Sequence, residues 1–220
     1  MRCNALFLFS LLAVPALAQE PLDLAPLKSW LALQKSLRSV EADFVQSRSL
    51  RTLRKPLTSP GKLWFTSNGD LHWELGTPPK TVFLRNKDGS FLILPQKKRF
   101  QTLNTGGDSP TAAPDFQMPE FPLASDIGEF TKRFEVLKVQ SEATHCDMEV
   151  LPREALAKKY VQVLRLRFDP KNGPLHSFEI VGKDGSSLKT EFSNIRLNQK
   201  IDPSVFTFDL NGYRSNSEKQ

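Results

Sequence analysis

Cysteine is nearly missing from this chain of 220 residues, which holds only Cys3 and Cys146. Cys3 falls in an N-terminal leader, so Cys146 alone remains after processing, with no partner for an internal disulfide. A secreted disulfide scaffold is excluded, and the fold must stand on its apolar core. Cys146 reads as a small buried residue before it reads as a reactive thiol. Metal and catalytic signatures are missing as well. His72, His145 and His176 stand singly in predicted strands, without H-x-x-x-H or paired-cysteine spacing. His145 and Cys146 are strand neighbours, so their side chains point to opposite faces and cannot act as base and nucleophile. There is no G-x-S-x-G elbow, P-loop or G-x-G-x-x-G fingerprint, and no carboxylate pair is placed by local spacing for acid–base work. Nothing positive points to an enzyme, a cofactor or a metal.

Long apolar runs are absent beyond the leader, and so are basic clusters. The net charge is +6, spread along the chain. Scattered basicity reads as a solvated surface, with diffuse attraction to an anionic membrane or acidic partner as the second reading. Nucleic acid is not expected, because no basic run is interleaved with aromatics in a recognisable module. The leader itself is clear: Arg2, then apolar Leu6 to Val14, then Ala16-Leu17-Ala18 as the small-x-small cleavage signal. It is too short for a permanent anchor. Cleavage after Ala18 leaves Gln19 first, where a lipoprotein would need cysteine. The expectation is a signal peptide over 1–18 and a single soluble periplasmic domain over 19–220.

What is present is a meander. Gly61 to Leu94 carries two turn dipeptides, Asn68-Gly69 and Asp88-Gly89, between short apolar runs. Leu63, Phe65, Leu71 and Trp73 fall at spacing two within their runs, which puts each pair on one face of its strand. Before it, apolar residues from Asp23 to about Val40 recur at three- and four-residue steps, predicting an amphipathic helix. A strand over Ala42 to Leu53 leads into the meander, and Gln96 to Phe100 turns into a further strand. Residues 104–130 differ: a Gly- and Pro-rich stretch precedes an apolar, proline-interrupted segment that reads as a lid or as a structural plug. Strands resume over Arg133–Val139, Cys146–Leu151, Tyr160–Phe168, Leu175–Val181 and Leu188–Leu197, with a last short one at Val205–Phe208. About eleven strands in near-sequential antiparallel order must curl. The predicted fold is mainly β with an α lid: a half-open antiparallel barrel covered by the N-terminal helix and short lid helices. Its concave face holds either an apolar ligand or only an ordinary filled core.

The motifs Ala42-Asp43-Phe44-Val45-Gln46, then Gly61-Lys62-Leu63-Trp64-Phe65, then Leu71-His72-Trp73 resemble the periplasmic lipoprotein carrier family of LolA type. The likeness continues through Asp88-Gly89 and Leu175-His176-Ser177-Phe178 to Val205-Phe206-Thr207-Phe208, nearly the whole mature chain. It implies a lidded half-barrel that binds acyl chains of lipoproteins, or of another lipid, and shuttles them from inner to outer membrane without chemistry. It also implies two partners, an inner-membrane lipoprotein-releasing ABC transporter and an outer-membrane acceptor. A lipid- or lipoprotein-sensing regulatory module of the same fold is the alternative, and a monomer is expected. Trp73 and Leu71 match cavity positions of the family, and strand parity adds Phe44, Leu63 and Phe65. Val82, Leu84, Leu92 and Leu94 from the next strands, with Phe121 and Leu123 from the 115–127 segment, complete the candidate lining. One departure stands out: where the family carries an Arg that holds its lid closed, this chain has Ser67-Asn68, and Ser cannot make that multidentate contact.

Overall fold

The computed structural model describes residues 22–103 and 126–216. The expected leader and its cleavage site, the 104–125 stretch, and with it Phe121 and Leu123, lie outside the described residues. In chain order the elements are helix α1 (Ala25–Gln34), strands β1 (Ser39–Ser49), β2 (Leu57–Thr66), β3 (Leu71–Leu75), β4 (Thr81–Asn86), β5 (Gly89–Leu94) and β6 (Arg99–Leu103). There follow helix α2 (Ile127–Arg133), β7 (Phe134–Ser141), β8 (Cys146–Pro152), helix α3 (Ala155–Tyr160), β9 (Val161–Phe168), β10 (Leu175–Gly182), β11 (Ser187–Leu197) and β12 (Arg214–Ser215).

All the strands belong to one twelve-stranded sheet in the order β12-β6-β5-β4-β3-β2-β1-β11-β10-β9-β8-β7. Every pairing is antiparallel except the two-residue β12 alongside β6. Two sequential meanders are joined where β1 pairs with β11, and the borders β12 and β7 do not meet. The result is the half-open barrel expected from the turn spacing. Several of its hairpins form where glycine accepts a positive φ: Gly69 at +99° closes β2–β3, with its N–H bonded to the Thr66 carbonyl at 3.0 Å.

Three elements depart from the sequence reading. The N-terminal helix ends at Gln34 rather than near Val40. Backbone bonds Ser36 N–H to Leu33 O and Leu37 N–H to Gln34 O turn the chain out, and Val40 is already in β1. The apolar period runs on because Leu37 and Val40 face the same interior from a turn and a strand. Val205–Phe208 is not a strand. Pro203 starts a 3₁₀ turn over Pro203–Phe206, and the Asp202 carboxylate accepts from Ser204 N–H at 2.9 Å. The short helix α3 had no clear signal in the sequence.

The sheet has an apolar layer on each side. The concave side carries the main core, with Leu27, Trp30 and Leu31 of α1 against Phe44, Trp73, Met148 and Phe168. These helix residues are spaced three and four apart, which sets one stripe of α1 into the trough. On the convex side Val82, Leu84 and Ile93 are covered by Phe100, Phe208, Leu210 and Tyr213. His72 Nδ1–H donating to the Val205 carbonyl, and Asn86 Nδ2–H donating to Phe206 O at 2.9 Å, fasten that C-terminal strap. Leu210 and Tyr213, beyond Phe208, are thus part of the fold.

Candidate functional site

The concave face is built by register. Val40 faces Phe65, Ala42 faces Leu63 and Phe44 faces Gly61 across β1–β2, while Leu63 faces Trp73 and Phe65 faces Leu71 across β2–β3. Directly opposed residues share a face, so these side chains form one continuous apolar wall. Phe44 lies over Gly61, where a Cβ would meet the Phe44 ring at 2.1 Å and the Glu74 carbonyl at 2.4 Å. That leaves Phe44 free to stack on Trp73, ring centroids 4.1 Å apart.

The opposite wall depends on an irregularity. Between Asp43↔Ser193 and Glu41↔Arg196 the β11 strand has one residue more than β1. Asn194 takes it up at φ +50°, its side-chain amide donating to the Asp43 carboxylate at 2.7 Å. A bulge shifts the alternation by one. Phe192 before it, and Ile195 and Leu197 after it, therefore all face inward.

Helix α1 closes one end of this trough. Trp30 Nε1–H and Gln34 Nε2–H both donate to the Gly173 carbonyl, at 3.0 and 2.8 Å, and the Trp30 ring packs on Phe168 at 4.7 Å. Between α1 and the walls remains a cavity of about 310 Å³, at the lower end of the range for small-ligand pockets. It is bounded by Trp30 and Gln34 above, by Leu63, Phe65 and Leu71 on one side and by Phe192, Ile195 and Leu197 on the other. Its surface is mostly apolar, and its charged members are Arg85 and Arg133.

Of the residues expected here from sequence, Leu63, Phe65 and Leu71 line the cavity. Phe44, Trp73 and Leu92 belong to the adjoining inner core. Leu94 shares the inner parity of Leu92 but sits at the far end of β5, away from the cavity. Val82 and Leu84 are on the convex side: Trp73 pairs with Phe83, so Phe83 is inward and its neighbours are outward. Arg85, Arg133, Ile195 and Leu197 went unrecognised. Arg85 follows from the same parity as Phe83, whereas the bulge that admits Ile195 leaves no clear sequence mark. Cys146 is fully buried, and that burial pushes its thiol above the usual range. Among the described residues no cluster of His, Cys, Asp and Glu is placed to hold a metal, and no helix is long and apolar enough to cross a membrane.

A family model described as outer membrane lipoprotein carrier protein LolA matches residues 35–209. The chain belongs to the LolA family. That match begins just after α1, ends within the strap beyond β11, and includes the sheet walls of the cavity but not Trp30 and Gln34 above them. An outer-membrane lipoprotein carrier protein of Chromohalobacter salexigens is 24% identical over 206 residues, covering 94% of this chain and 92% of that protein. Among solved structures, the chain is similar to an outer membrane lipoprotein-sorting protein domain from Vibrio parahaemolyticus, with TM-score 0.47 and 16% identity over 83% of this chain and 97% of that one. It is also similar to a chain of the Pseudomonas aeruginosa MucA/MucB complex, with TM-score 0.48 and 11% identity over 84% of this chain and 60% of that one. The LolA family is described as one of carriers.

Proposed function

We propose that this protein is a periplasmic carrier that holds the acyl chains of a lipoprotein, or of another lipid, on its concave face and passes them from the inner to the outer membrane. The observation that carries the reading is the apolar cavity between α1 and the inner wall, in a chain of the LolA family. Each buried methylene contributes about 0.8 kcal/mol, so a dozen of them contribute on the order of 10 kcal/mol. A carrier must release as well as bind. An inner face partly filled by Trp30 and Leu31 of α1 suits that need, because displacing these side chains offsets part of the gain. An inner-membrane lipoprotein-releasing ABC transporter and an outer-membrane acceptor are the partners this role requires, and a monomer suffices for it.

The test is native mass spectrometry of the mature protein from a periplasmic extract, followed by transfer of any bound lipid to acceptor vesicles. Co-purified acyl lipid that moves to the vesicles is the expected result. An empty protein that takes up no fluorescent fatty acid would overturn the reading. Phe65→Glu places a charge on the cavity wall and should abolish uptake with the circular dichroism spectrum unchanged.

A further inference from the structure

We infer that the cavity receives a lipid whose head group is an anion, a carboxylate or a phosphate, and that Arg85 holds that head. The inference rests on the acyl-binding reading above and, of its two ligand classes, selects the other lipid over a lipoprotein, whose acylated cysteine carries no anionic head. The starting point is the charge on the wall. Arg85 and Arg133 line the cavity, and among the described residues no carboxylate does. Arg133 has an interaction of its own within the protein, so Arg85 is the group in question: a guanidinium beside an apolar space, without a carboxylate on the same wall, leaves a site suited to a negative partner.

Arg85 is held for this task. It is half-buried on the inward face of β4, opposite Leu71 of β3 on one side and Ser90 of β5 on the other. Its Nε–H donates to the Gly69 carbonyl at 2.8 Å, which anchors the guanidinium against the β2–β3 turn. That bond uses one of five N–H donors, and no other hydrogen bond joins the guanidinium to a described residue. The terminal amino groups present the planar fork that matches a carboxylate or phosphate with two parallel bonds.

Ser90 supplies a second, independent observation. It is 3% exposed, and its hydroxyl has no hydrogen-bond partner among the described residues. Buried hydroxyls are nearly always satisfied, so an orphan calls for an explanation. It stands directly across the strand pair from Arg85, beside the cavity rather than on its surface, and its hydroxyl, turned toward Arg85, would donate to the same anion. A neutral acylglycerol offers these donors only ester carbonyls, whereas a fatty-acid carboxylate or a phospholipid phosphate adds a charge-assisted, bidentate contact to Arg85.

The test is a fluorescence titration of the mature protein with cis-parinaric acid and with its methyl ester, at mildly alkaline pH where the free acid is ionised. The acid should bind about tenfold or more tightly than the ester, the range of a charge-assisted hydrogen-bonded contact. Arg85→Gln should bring the two close to parity by weakening the acid alone, while Arg85→Lys should keep an intermediate preference. Equal affinities in the unmodified protein, or a preference that survives Arg85→Gln, would overturn the assignment of the head group and leave the acyl cavity standing. Failure of both probes to bind would remove the acyl reading and this one together. Should Arg85→Gln not fold, the acid-to-ester ratio in the unmodified protein and in Arg85→Lys decides. Stronger displacement of the probe by phosphatidic acid than by oleic acid assigns the phosphate form, and the reverse the carboxylate; either supports the proposal. Displacement by inorganic phosphate alone as effective as by these lipids would overturn it.

Discussion

Gly61 and Phe44 occupy one space between them: the ring lies where a Cβ at Gly61 would stand, 2.1 Å from its nearest carbon. Any side chain there must push Phe44 off Trp73, and Glu74 O on the other side is backbone that cannot swing away. Gly61→Ala should therefore cost about 1–3 kcal/mol, as overpacking does, read as a lower urea midpoint with unchanged slope. Trp73 is only 1% exposed, so its truncation to Ala is a core deletion, expected to cost about 3–5 kcal/mol rather than to act on ligand binding alone. Cys146 has no exposed surface and a thiol whose burial holds it protonated above the usual range. It should resist a thiol-specific reagent at neutral pH in the native protein and react promptly in denaturant. Phe44, Leu63, Phe65 and Trp73 were legible as one surface because strand parity is local. That Phe44 needs a glycine opposite it was not, since their pairing depends on the register of β1 with β2.

At the scale of elements, the hairpins of β2–β3, β4–β5, β9–β10 and β10–β11 were legible from their turn dipeptides, Asn68-Gly69, Asp88-Gly89, Asn172-Gly173 and Asp184-Gly185, because a positive φ is written in glycine. The bulge at Asn194 was not, and without it Ile195 and Leu197 would face outward. Helix α1 was legible as an amphipathic stripe, but its seat over Gly173 was not. Trp30→Phe keeps the ring and deletes the 3.0 Å bond to the Gly173 carbonyl. It should destabilise by about 1–2 kcal/mol, with faster amide exchange in α1 than in the central strands. The convex side of β8–β10 carries a charged ladder. Arg167 bonds both Asp147 oxygens, at 2.7 and 2.8 Å, and Arg165 bridges Glu149 and Glu179. Hydrogen bonds from Arg167 hold the Asp147 carboxyl below its usual range. A depressed carboxyl contributes stability above its unfolded pKa of about 3.9 and loses it as pH falls through the folded value. Both partners are more than a third exposed, so Arg167→Ala should cost under about 1 kcal/mol at neutral pH. Its clearer effect is an acid-unfolding midpoint moved to higher pH.

For the molecule as a whole, the open sheet decides the function it can host. A flat sheet would have no interior to receive α1. Its borders are protected by different means. The edge strand β7 is broken by a bulge between Val136 and Lys138 and carries charges outward, while β12 caps β6. Because the proposed ligand site lies between α1 and the sheet, occupancy should stabilise the whole cooperative unit. Saturation at about a hundred times Kd corresponds to roughly 2.7 kcal/mol, which a domain of this size shows as a rise in Tm of several degrees. Thermal unfolding with and without a long-chain fatty acid checks this; an unchanged Tm under saturating ligand would count against binding to the folded state.

The sequence by itself determined the fold class, the antiparallel order and most of one apolar wall, since alternation, turn glycines and helical period are properties of neighbouring residues. Tertiary structure alone decided which side of the sheet each layer took. Val82 and Leu84 are as apolar and as regularly spaced as Leu63 and Phe65. Only the register of β3 with β4, and the strap of Phe208 and Tyr213, put them on the convex side. Tertiary structure also brought Arg85 and Arg133, far apart in sequence and unremarkable there, to one cavity. Pairing register and bulges relate residues that are distant along the chain, and local pattern cannot express those relations.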